Sequence, residues 1–150
     1  MTTAQLSTTA PCAPGATPES CTLTFITHFG RLAFRRPLNE TETGRYVALA
    51  AAQPDYASGI RLVIQAMLQS PSFWYRVETP PATATLAPVE GYVLASRLSF
   101  FLWNSGPDDV LLDAARSGAL QNPDGLAGQV ERLLADERFG RTLQLSLIHI

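Results

Sequence analysis

At 150 residues, with 46% hydrophobic and 16% charged side chains, the chain holds enough apolar material for one ordinary domain or two small ones, which excludes disorder throughout. A formal net charge of -2 excludes the basic footprint that neutralises phosphates, so nucleic acid is not an expected partner. No window comes near the ~18 consecutive apolar residues that a membrane span needs.

Residues 1–19 are rich in Pro, Thr and Ala and are expected to be a flexible segment. They lack the positive n-region and apolar h-region of a secretory signal, which fits either a cytosolic protein or a start that is not the natural N-terminus. Cys12 and Cys21 bracket a short Pro and Gly-containing loop. A disulfide between them would restrict the unfolded chain by roughly 2 to 3 kcal/mol and imply an oxidising compartment, and a pair of unrelated thiols fits the same residues. All eleven basic residues are Arg, which suits a coding bias in an Ala, Pro and Gly-rich composition better than eleven selected guanidinium sites.

The first helix is expected from a cap at Ser20 to about Phe34, because Phe25, Ile26, Phe29, Leu32 and Ala33 recur on one helical face. In RLAFRRPLNETE, residues 31–42, Pro37 pushes Arg36 out of the helical region, and Arg31, Arg35 and Arg36 suit the negative end of the helix dipole. Asn39 followed by Glu42 reads as a capping box that opens a second helix running to about Gln53, where Pro54 ends it. Asp55 caps a third helix with Ile60, Val63, Ile64, Met67 and Leu68 inward, the strongest periodic signal in the chain. Ser70-Pro71 stops that helix, and Phe73, Trp74 and Tyr75 are expected to pack into a short turn.

Residues 79–88 form a Pro, Thr and Ala-rich joint. Beyond it Pro88 suits the first turn of a helix whose buried face holds Leu94, Leu98, Phe101 and Leu102. Pro107 begins a short helix with Asp108 and Asp109 at its positive end, and Gly118 supplies a left-handed stop. Asn122-Pro123 opens the next helix, with Leu126, Val130, Leu133 and Leu134 repeating the core pattern, and Asp136 caps one more. Nothing alternates with period two, so no strand is expected.

Candidate chemistry is sparse. Arg31 and Arg35 lie four apart and offer planar forks of donors to an anion; the structural alternative, which we adopt, pairs them with Glu40 or Glu42 across the Pro37 bend. Asp108 and Asp109 read as helix-start carboxylates rather than metal ligands, since adjacent carboxylates seldom converge enough oxygens for a hard cation. His28 has no second histidine nearby apart from His149 at the extreme end, the serines lack a nucleophile context, and Trp74 and Trp103 read as core rather than as stacking platforms. No catalytic constellation emerges, and the enzyme question stays open.

RLAFRRPLNETETGRYVAL, GIRLVIQAMLQSPSFWYR, YVLASRLSFFLWNSGPDDVLLDAARSGAL and VERLLADERFGR occur here in the order in which they mark two adjacent families of unknown function. The chain resembles these planctomycete secreted domains, which are also common in myxobacteria, over roughly residues 21–143. The resemblance implies a disulfide between Cys12 and Cys21, a periplasmic or extracellular location, and c-type cytochrome modules within the full-length protein or beside it, so that haem c belongs to other domains or a partner. It brings no established catalytic residues. The second family normally continues further, whereas SLIHI at the end resembles translated sequencing-adapter DNA. Residues 145–150 are therefore expected to be a non-native tail, the alternative being an amphipathic ending with Leu143, Leu147 and Ile148 packed on the core.

The expectation is an all-α fragment: a first module at 20–78 of about three helices plus an aromatic turn, a linker at 79–88, and the helical start of a second domain at 89–144. Its expected role is structural or partner-docking, with no cofactor held by these residues. The competing class is a hydrolase or oxidase acting on a polymer outside the cell, with its active site in absent segments.

Overall fold

The computed structural model describes residue 15, residues 17–75 and residues 89–148. The regular elements among them are all helical, with no strand, so the chain is all-α. It divides into two compact units, Met1–Arg76 and Val77–Ile150, each built on its own hydrophobic cluster.

In the first unit, α1 (Pro18–Phe34) starts earlier than its apolar stripe suggests. Thr17, not Ser20, is the cap: its hydroxyl oxygen accepts the Ser20 N–H at 3.2 Å. Pro18 fits the next position because the first turn needs no N–H and the ring presets a helical φ. After Arg35 and Pro37, α2 (Glu40–Ala51) stops two residues short of Gln53, and α3 (Tyr56–Leu68) begins behind Asp55, whose carboxylate accepts the Ser58 N–H at 2.9 Å. Ile26 of α1 and Ile60, Val63 and Met67 of α3 are wholly buried, with Phe25, Phe34 and Ala50 beside them. Burial of each large side chain contributes about 1.5–3 kcal/mol, so the i, i+3, i+7 row on α3 supplies much of what holds these helices together.

A single helical turn, α4 (Pro71–Trp74), closes this unit. Only Phe73 packs against the core. Trp74 and Tyr75, expected to pack, are 70% and 68% exposed. A helix of four residues presents one narrow face to its neighbours, and Phe73 occupies it.

The second unit comprises α5 (Gly91–Trp103), α6 (Asp109–Arg116), a 3-10 turn (Ala119–Gln121), α7 (Pro123–Ala135) and α8 (Glu137–Ile148). The core-facing row of α5 is Ala95, Ser96, Ser99, Leu102 and Trp103, with Leu94 and Leu98 at its margin. Phe101, expected inward, is 79% exposed. The stripe is turned toward Trp103 because that indole N–H donates to the Leu133 carbonyl at 2.9 Å, a bond available only with the ring inside. The small serines allow the rotation, and the Ser99 hydroxyl donates to the Ser96 carbonyl at 3.1 Å.

Gly118 has φ 77°, left-handed backbone that costs glycine little, and it separates α6 from the 3-10 turn. Along α7, Leu133 is buried whereas Leu134 is exposed. On α8, Leu143, Leu147 and Ile148 are also exposed, so they do not pack on the core.

Candidate functional site

The arginine-proline stretch forms an elbow between α1 and α2. Arg35 ends α1 in left-handed backbone at φ 59°, and it is only 9% exposed. Its guanidinium donates to the carbonyls of Ser72 at 3.0 Å, Phe73 at 3.1 Å and Tyr75 at 3.4 Å, and to Ala33 at 3.2 Å. One fixed fork of donors therefore satisfies main-chain oxygens at the end of α1 and around α4. A cation at the carboxyl end of a helix also meets the negative end of its dipole.

Arg36 turns the other way. It forms a two-pronged pair with Glu42, at 2.9 and 2.7 Å, and its guanidinium lies 5.8 Å from the centre of the Phe34 ring. The sequence-based expectation pairs Arg31 and Arg35 with Glu40 or Glu42 across this bend. Arg36 takes Glu42, and Arg35 takes carbonyls. Arg31 lies in the last turn of α1.

Asn39 and Glu42 complete the elbow as a reciprocal capping box, the Glu42 N–H donating to Asn39 at 2.8 Å and the Asn39 N–H to Glu42 at 2.9 Å. The Arg36 hydrogen bond holds the Glu42 carboxyl below its ordinary range, against the opposing push of burial. Pro37 is exposed between the two arginine contacts and the cap.

A second polar cluster sits in the other unit and was not anticipated. Asp108 caps α6 through the Leu111 N–H at 2.9 Å and receives both terminal nitrogens of Arg132, at 2.8 and 3.0 Å. The Arg138 guanidinium lies 3.4 Å from the centre of the Trp103 ring and donates to both oxygens of Asp136, at 2.8 and 2.7 Å. Burial pushes the Asp108 carboxyl up, but Arg132 and the Leu111 N–H outweigh it, and the net direction is down. Asp136 is also held well below the usual carboxylate range, chiefly by Arg138. The capping roles of Asp108 and Asp136 have local signals in the sequence. Their arginine partners do not: Asp108 and Arg132 are 24 residues apart.

Elsewhere in the first unit, a cleft of about 340 Å³ lies at the amino ends of α1 and α3, lined by Glu19, Thr22, Val47, Asp55 and Tyr56 among others. Both Asp55 oxygens are engaged by Ser58, and burial pushes the Tyr56 hydroxyl up. Among the described residues, no group of three or more His, Cys, Asp or Glu is placed to hold a metal, and no helix is long and apolar enough to cross a membrane. His28 is exposed on α1. Cys21 is buried in the first turns of that helix, and Cys12 lies outside the described residues, as do the 79–88 joint and His149.

These features define two small helical domains in series whose arginines act as internal fasteners. Residues 21–78 match the family model described as PSD5: Protein of unknown function (DUF1595), and residues 89–145 match PSD4: Protein of unknown function (DUF1592). The chain carries members of these two families in tandem, and neither family has an assigned activity. No curated protein and no solved structure matches it.

Proposed function

We propose that this chain is a structural and partner-docking portion of a larger exported protein that works with c-type cytochrome modules. The observation that carries the non-catalytic part is the state of Arg35: the most suggestive cation of the sequence is buried among main-chain carbonyls, bracing an elbow. Arg36 and Glu42 form a closed pair, and Asp108 is both a helix cap and the partner of Arg132. A residue already holding the fold in this way is poorly placed to turn over a substrate.

Export and the cytochrome link rest on the resemblance to secreted domains, and burial of Cys21 suits a bridge to Cys12. The test is recovery of the complete reading frame, followed by its expression in a periplasm competent for haem attachment. The expected result is at least one C-x-x-C-H motif, in the protein or in a protein encoded beside it, with covalently bound haem in the pyridine haemochrome spectrum. A frame without that motif in either place, containing instead a cleft of carboxylates or histidines, would overturn the proposal in favour of an extracytoplasmic enzyme. Intact mass under non-reducing conditions tests the Cys12–Cys21 bridge separately, and free thiols in protein from an oxidising compartment would remove it.

A further inference from the structure

We draw no further inference here: the strongest candidate, the exposed aromatic patch of Trp74 and Tyr75 at the carboxyl end of α4 in the first unit, carries nothing because nothing in the structure shows what covers it.

Discussion

Left-handed backbone costs a non-glycine residue about 1–2 kcal/mol, and Arg35 holds it at φ 59° because its side chain binds carbonyls 37 to 40 residues further along the chain. Arg35→Ala is expected to destabilise the first unit by about 2–4 kcal/mol, since it leaves several main-chain oxygens without their donor. Arg35→Lys should not rescue it, because an ammonium cannot reproduce the planar fork. Arg35→Gly loses the same bonds yet relieves the backbone strain, so it should be about 1 kcal/mol less damaging than Arg35→Ala. Urea unfolding followed by far-UV circular dichroism reads all three, and an Arg35→Ala protein within about 0.5 kcal/mol of wild type would refute the bracing role.

Asp108 allows a different measurement, because cap and ion pair can be separated. Its folded pKa is depressed, so its contribution is present above the unfolded value of about 3.9 and is lost as the pH falls through the folded value. Asp108→Asn keeps a capping oxygen and removes the charge. It should weaken the protein modestly at pH 7, by about 1 kcal/mol, and flatten the loss of stability below about pH 4. Asp108→Ala loses both functions and should cost about 2–3 kcal/mol. Identical acid limbs for wild type and Asp108→Asn would show that the pairing with Arg132 does not contribute.

Helices pack as closely as their smallest residues allow, and two glycines separate local propensity from packing. Gly44 is exposed on α2 with open space where a side chain would go, so Gly44→Ala should stabilise by about 0.5–1 kcal/mol. Gly59 has the same intrinsic preference for replacement, but a Cβ there would meet the Ala50 carbonyl oxygen at 2.9 Å and the Ala50 Cα at 3.4 Å. Since these are backbone atoms, α2 and α3 must move apart, and Gly59→Ala should destabilise despite the better propensity. Thermal melts of the two variants should shift in opposite directions, and equal upward shifts would show that the α2–α3 contact is loose. The phase of α5 teaches the same lesson: several apolar choices in LASRLSFFLW satisfy a helical period, and the Trp103 bond to Leu133 selects the one that leaves Phe101 outside.

For the molecule as a whole, the two units carry one tryptophan each, in opposite environments. Trp74 is 70% exposed, whereas Trp103 is 4% exposed with its ring against Arg138. Acrylamide quenching should resolve one accessible and one protected emission, and Trp103→Phe should leave only the accessible one. A single homogeneous quenching curve for the wild type would contradict the burial of Trp103. The same pair reports each unit during unfolding, so Arg35→Ala can be tested for an effect confined to the first unit.

Helical content, the Asn39–Glu42 cap, the Asp55 cap, the Gly118 stop and the inward row Ile60, Val63 and Met67 of α3 were legible in the sequence because each rests on residues within a few positions of one another, although Leu68, expected in that row, is exposed. Such signals need no knowledge of distant chain, and the order of motifs likewise pointed to two successive families. Tertiary structure alone decided that Arg35 caps carbonyls around α4, that Arg36 takes Glu42, that Arg132 reaches Asp108, and that Phe101, Trp74 and Tyr75 face outward. A guanidinium has one charge and many admissible acceptors, and an amphipathic helix has several near-equivalent rotations. Both choices are made by whichever distant groups the packed chain brings within a hydrogen-bond length.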